Sequence, residues 1–395
     1  MWRVGFFFHE MGFGLLSIFL PLYLVHIRPA DGLFYVGIII GIALFAAIPA
    51  AFLWGYLCDK TKHYKRFILL AFLSISILIT LFAVTTAIAA LILIYALVAI
   101  FHSAHEAPKN VLISELYTHQ DWERNFAFYE GFTEVGTLIG LVLGFFASFT
   151  ISAEHTLFLV AGLNFVAFVL SAIFVVDPPM IFERSLVSME KRVGYASSGF
   201  LLASRMMDGK SLNEKLKTEN VVAFCCALAL FSLATNILFT PLPIFVSKNL
   251  AMSSAIVFAV FILNSGGGVV GYMFAGRATE SSGGGFRVSG IILARCLLTL
   301  LLVAALVKST SSVFLTVGIL IIMGLLAAVF TVRIESLFME LIPPGKAGLI
   351  SVLMGIGAAV GSLVGPFVAE AFGFLQVFLI AGAIFLVAFV VFLMF

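Results

Sequence analysis

The chain has 395 residues, 62% of them hydrophobic and only 11% charged, with a mean hydropathy of +1.18. A water-soluble domain carries roughly 45–50% apolar and about 25% charged residues, so lipid is the solvent for most of this chain. The formal net charge of +2 offers no basic field for nucleic acid.

The first apolar stretch begins at Val4, directly after Arg3, and runs to about Ile27. It exceeds the roughly 7–15 residues of a signal-peptide core and no small-residue cleavage site follows, so it is expected to be retained as a span. A crossing helix needs about 20 apolar residues. On that rule the chain predicts spans at 4–27, 32–57, 67–85, 88–113, 125–150 and 156–176, then 220–246, 252–275, 288–307, 312–335, 347–370 and 373–394. The alternation of a membrane β-barrel is absent. The fold class expected is an all-α membrane protein of twelve transmembrane helices arranged as two six-helix bundles. Residues 1–176 and 220–395 form the halves, joined by a cytoplasmic linker at 177–219 that opens on Asp177-Pro178-Pro179 and mixes both signs of charge.

Lysine and arginine orient the spans. With the N-terminus inside, 18 of the 22 cations fall in cytoplasmic segments, while Arg28, Lys248 and Lys308 lie outside and Arg295 lies within a span. Both termini are therefore expected in the cytoplasm. Cys58, Cys225, Cys226 and Cys296 lie in or beside apolar runs without paired spacing and are read as small apolar packers. The 43 phenylalanines are expected mostly as lipid-facing filler.

The halves repeat. Gly55-Tyr56 at the end of the second span matches Gly271-Tyr272 at the end of the eighth. Glu115-Leu116 matches Glu340-Leu341 at an offset of 225, and at that offset Gly136 and Gly140 match Gly361 and Gly365. Parallel six-helix repeats belong to one large transporter architecture.

The segment from Gly55 through Leu57, Asp59, Lys60, Thr61, Lys62, His63, Tyr64 and Lys65 to Arg66 resembles the signature between helices 2 and 3 of the major facilitator superfamily, Gly-x-Leu-x-Asp-Arg-x-Gly-Arg-Arg. In the residues themselves, Gly55 is expected to permit close helix approach. Asp59 is an acid at a helix junction flanked by cations, where a helix N-terminus or an arginine can receive it. The resemblance implies that Asp59, with Lys60, Lys65 and Arg66, ties the two halves together on the cytoplasmic side. Lys60 stands where Arg is common, His63 or Tyr64 replaces the loop glycine, and the second-half copy has Ala275 in place of the acid. Helix 4 of many proton-coupled members carries an Arg before Gln-Gly; the nearest position here is Ala99, followed by His102-Ser103. Helix 5 of drug–proton antiporters ends its glycine motif in proline, and here Gly140 is followed by Leu141. These departures count against a drug antiporter. As packing, glycines at i and i+4 let facing helices touch.

Ionisable groups inside a span cost at least about 2.5–3.5 kcal/mol each and are functional candidates by default. They crowd into the first half: His9 and Glu10 on the first span; His102, His105, Glu106 and Lys109 at i, i+3, i+4 and i+7 on the fourth; Glu130 and Glu134 on the fifth. Glu10, His102, His105, Glu106, Lys109, Glu130 and Glu134 are expected to form one buried network in which Lys109 and the histidines answer the carboxylates. That many carboxylates cannot all ionise cheaply against one lysine, so at least one is expected to carry a proton. The bland alternative is a polar knot that only holds helices together. In the second half Asn236, before Pro241-Leu242-Pro243, and Asn264, before Gly266-Gly267-Gly268, are candidates for the substrate cavity or for helix–helix links. Arg333 and Glu335 are candidate gate charges.

The His-Glu-x-x-His zinc motif is not present, since His105-Glu106-Ala107-Pro108-Lys109 and His9-Glu10-Met11-Gly12-Phe13 both lack the second histidine; no metal and no cofactor is expected. No phosphate-binding Gly-x-x-x-x-Gly-Lys-Ser/Thr motif occurs, so the energy source is expected to be a gradient. The reading is a secondary transporter rather than an enzyme, moving a small organic solute by alternating access, coupled to protons, acting as a monomer in the plasma membrane. A uniporter of the same fold, or a non-transporting membrane protein such as a lipid scramblase or sensor, stays open beside it.

Overall fold

The structure is a computed structural model that describes residues 1–116, 122–177, 221–278, 288–307, 312–341 and 348–395; the expected linker beyond Asp177 lies outside them. Among the described residues every regular element is helical. In chain order these are α1 (Val4–Ile27), α2 (Gly32–Thr61), α3 (Tyr64–Val84), α4 (Ile88–His102), α5 (Glu106–Leu116), α6 (Trp122–Thr150) and α7 (Ala153–Phe174). The second half holds α8 (Val221–Phe239), the short α9 (Leu242–Ile244), α10 (Ser254–Ala278), α11 (Val288–Val307), α12 (Ser312–Leu341), α13 (Gly348–Phe372) and α14 (Phe374–Leu393). Eleven helices are long and apolar enough to cross a membrane, and α11 adds a shorter apolar stretch at Val288–Val303.

Two of the expected spans are interrupted. The fourth passes from α4 to α5 through a 3₁₀ turn at Ser103–His105. Pro108 explains the break: it has no amide hydrogen to give the carbonyl of Ala104, and Ser103 Oγ turns back to donate to Ile100 O at 2.8 Å. The seventh is broken by Pro241, after which α9 and a π turn at Phe245–Asn249 carry the chain on.

The two six-helix bundles pack by the same scheme. In the first, α1 lies against α6 and α7, α2 against α4, and α3 against α4 and α7. In the second, α8 lies against α13 and α14, α10 against α12, and α11 against α12 and α14. The glycines of the sequence repeat sit at matching contacts. A Cβ on Gly136 would stand 2.7 Å from Phe7 O, and one on Gly140 would collide with Met11 O. One repeat later, a Cβ on Gly361 would stand 2.5 Å from Leu233 O, and one on Gly365 would collide with Ile237 O. Each pair brings two helix backbones into direct contact, which apolar lipid cannot drive and close packing can.

The bundles meet along two seams, α2 with α13 and α6 with α10. On the first seam, Phe34 N donates to Glu370 Oε2 at 2.6 Å, so α13 supplies the cap for the first turn of α2. The prolines inside α1, α2 and α13 (Pro21, Pro49, Pro366) are accommodated within continuous helices. Phenylalanine corrects its expectation as lipid-facing filler: Phe6, Phe72, Phe82, Phe224, Phe245, Phe258, Phe378 and Phe385 are fully buried, while Phe52, Phe146, Phe149 and Phe314 face outward. The reason is that rings fill the spaces between helices as readily as they face lipid.

At the end of α7, Asp177 Oδ1 accepts a hydrogen bond from Lys65 N at 2.7 Å, and its other oxygen lies 4.0 Å from His63 Nδ1. Lys65 is in the first turn of α3, so Asp177 caps that helix from a distance. Asp177→Ala should cost about 1 kcal/mol, read as a lower melting temperature in detergent. Gly140→Val should force α1 and α6 apart and cost at least about 2 kcal/mol in the same measurement.

Candidate functional site

The signature loop sits where α2 turns into α3. Its geometry corrects two expectations. A Cβ on Gly55 would meet nothing within 4 Å, so this glycine faces open space and does not serve a close helix contact here. The loop's left-handed residue is Lys62, at φ 58°, and not His63 or Tyr64; Lys62 N closes the end of α2 on Cys58 O at 2.9 Å. Lys62 thus stands where the family signature has its glycine, which has no Cβ to crowd the following carbonyl. Lys60 and Arg66 are exposed and Lys65 is half-buried; Lys60 Nζ lies 5.7 Å from the Tyr56 ring centre. The Asp59 side chain lies outside the described residues, as does that of Glu335, while Arg333 is half-buried on α12.

The ionisable residues of the first bundle separate into two groups. The first is built of carboxylates. Lys109 Nζ on α5 pairs with Glu130 Oε1 on α6 at 3.3 Å and lies 5.2 Å from the Tyr129 ring centre. Glu10 on α1 feels the charges of Glu130, Lys109, Glu134 and Glu106, and Glu106 those of Lys109 and Glu130. Glu134, one turn along α6, reaches out of the bundle: Ser265 Oγ on α10 donates to its Oε1 at 2.6 Å. The backbone of Gly268 leaves the room, since a Cβ there would stand 3.3 Å from that same oxygen.

The second group is aromatic, and the histidines turn to it instead of answering the carboxylates. The three-residue pitch of the Ser103–His105 turn stacks His102 and His105 on one side. There His102 Nδ1 meets His9 Nε2 at 3.1 Å, and His9 Nδ1 meets Asn164 Oδ1 on α7 at 2.7 Å. Asn164 Nδ2 donates to Val160 O at 2.9 Å, which leaves Oδ1 facing the imidazole and makes His9 Nδ1 the donor. Phe6, Phe13 and Phe72 pack around the three rings. His9 is among the ionisable candidates but not in the expected network, and Asn164 is not among the candidates at all. An Asn within the sixth apolar span was the available sign, but its partner lies on another helix.

In the second bundle Asn236 donates to Ser232 O at 2.9 Å and accepts from Ser362 Oγ at 3.4 Å, while Asn264 donates to Leu320 O at 2.6 Å. These contacts tie α8 to α13 and α10 to α12. Arg295 on α11 is only 2% exposed; it donates to Thr235 Oγ1 at 3.1 Å and Met323 O at 3.2 Å, with its guanidinium 5.2 Å from the Phe231 ring centre. The arginine thus faces protein, and aromatic faces stand where a carboxylate would otherwise be expected.

Residues 4–356 match the family model of the Major Facilitator Superfamily. The chain belongs to this superfamily. It is an integral, multi-pass membrane transporter that takes a small-molecule substrate, and not an enzyme. Solved structures of the peptide transporter POT share the fold. A single-site mutant bound to alafosfalin is 13% identical with a TM-score of 0.72, covering 98% of this chain and 93% of that one. The same mutant with sulfate is 15% identical with a TM-score of 0.69, covering 98% and 92%. No curated protein sequence matches the chain.

Lys62→Gly should relieve the left-handed strain and stabilise the protein by about 1 kcal/mol, seen as a higher melting temperature.

Proposed function

We propose that this protein is a proton-coupled secondary transporter of a small organic solute. It works by alternating access as a monomer in the plasma membrane, with both termini in the cytoplasm. The observation that carries the reading is the bond from Ser265 to Glu134, which joins a carboxylate cluster in one bundle to the other bundle. When α6 and α10 move apart, Glu134 loses its donor. A carboxylate in a water-poor seam without a donor is neutralised most cheaply by a proton. Rejoining the helices restores the donor and favours release. Proton binding and bundle movement thus share one side chain, the kind of linkage that coupling requires. Glu130, on the same helix as Glu134, pairs with Lys109 of α5 and so supplies the charge balance that holds the cluster together.

The orientation rests on the 18 of 22 cations assigned to one side. The substrate is to be sought by a thermal-stabilisation screen over small organic solutes. Short peptides belong in it, because the structural neighbours are named as peptide transporters.

In proteoliposomes, an imposed pH gradient should drive accumulation of the solute identified by the screen. Glu134→Gln, which keeps an acceptor oxygen but cannot exchange a proton, should reduce gradient-driven accumulation at least about tenfold, with solute–solute exchange retained. Accumulation indifferent to the gradient in the unmodified protein would instead establish a uniporter in which Glu134 only latches the bundles.

A further inference from the structure

The imidazole cluster has a geometry that the transport reading does not use. His9, His102 and His105 each offer one ring nitrogen, and the three nitrogens lie within 4.8 Å of one another. His9 is 0% and His105 3% exposed, and His105 Nδ1 is buried with no hydrogen-bond partner. The geometry points to a resident binding site for a divalent late first-row transition metal, of the zinc and cobalt class, held by His9, His102 and His105 inside the first bundle.

Distances support it. Zinc–nitrogen bonds are about 2.0–2.1 Å, so tetrahedral ligand nitrogens stand about 3.3 Å apart. His9 Nε2 and His102 Nδ1 already stand at 3.1 Å. From a separation of at most 4.8 Å, the third nitrogen closes by at most about 1.5 Å. The outer shell is also built. Asn164 Oδ1 accepts from His9 Nδ1 and so turns Nε2 toward the other two rings, as partners of metal-bound histidines do. The hydrogen bond between His9 and His102 holds a single proton. Because His9 Nδ1 carries the proton given to Asn164, the shared one sits on His102 Nδ1; it moves to His102 Nε2 on metal binding, and no other group need gain or lose one.

Charge is answered as well. Glu10 and Glu106 follow His9 and His105 directly in the chain, and the charge of the nearest lysine, Lys109, is taken up by Glu130. Neutral imidazoles suit this class of ion, and Phe6, Phe13 and Phe72 pack around the three rings, while the partial exposure of His102 leaves the fourth position to a single solvent ligand. A metal would take up one ring nitrogen of each of the three imidazoles at once.

The test uses the full-length protein in detergent, stripped with a chelator and titrated with Co²⁺. One Co²⁺ per chain is expected, with the intense visible ligand-field bands of a four-coordinate site of three imidazoles and one solvent ligand, and Zn²⁺ should displace it. His9→Gln, His102→Gln and His105→Gln should each weaken binding at least about tenfold, and Asn164→Leu, which leaves all three ligands, about tenfold. X-ray absorption of the unmodified zinc-loaded protein should count three imidazole nitrogens and so settles the ligands even if a variant fails to fold. Absence of stoichiometric binding, or six-coordinate spectra, or affinity unchanged in the variants, would overturn the site.

Discussion

A polar group inside a hydrocarbon slab has no solvent to fall back on, and this chain is organised around that constraint. The Glu134 carboxylate is answered by Ser265, Glu130 by Lys109, His9 by Asn164 and His102. Arg295 is answered by Thr235, a backbone carbonyl and aromatic faces. Each answer comes from a different helix, so each also fixes how two helices sit. Polar residues that are expensive to insert become the most specific contacts in the membrane.

The apolar contacts obey a complementary rule. Lipid tails are as apolar as leucine, so helices associate through closeness of fit. Gly136 and Gly140 against α1, and Gly361 and Gly365 against α8, provide that closeness at matching places in both bundles. The rigid halves that result meet along α2–α13 and α6–α10, where Glu370 and Glu134 each bridge from one half to the other. A transporter that rocks needs stiff halves and a seam of a few separable bonds, and these two kinds of contact supply them.

Much of this was legible in the sequence because the signals are local. Span positions follow from apolar runs, and the repeat from glycine spacing. The crowding of acids and histidines in the first half follows from their cost in lipid. What escaped depends on neighbours distant in the chain or on a change of helical pitch. A uniform α-helix puts His102, His105, Glu106 and Lys109 on one face. Pro108 instead forces a 3₁₀ turn at Ser103–His105, which sets His102 and His105 against His9 of α1. Asn164 became significant only once α7 lay beside α1. Gly55 matches a family motif, yet it meets nothing here. The glycine of that motif is replaced by Lys62, whose backbone still adopts the left-handed shape the turn demands.

Asp177 is the last described residue before the stretch joining the halves, and its carboxylate is anchored on the first turn of α3. The connector therefore leaves the first bundle from a fixed mooring beside the signature loop. Any displacement of Asp177 reaches His63 and Lys65 directly through its two carboxylate contacts. The end of the first bundle and the loop that follows α2, 112 residues apart in the chain, thereby share one anchor.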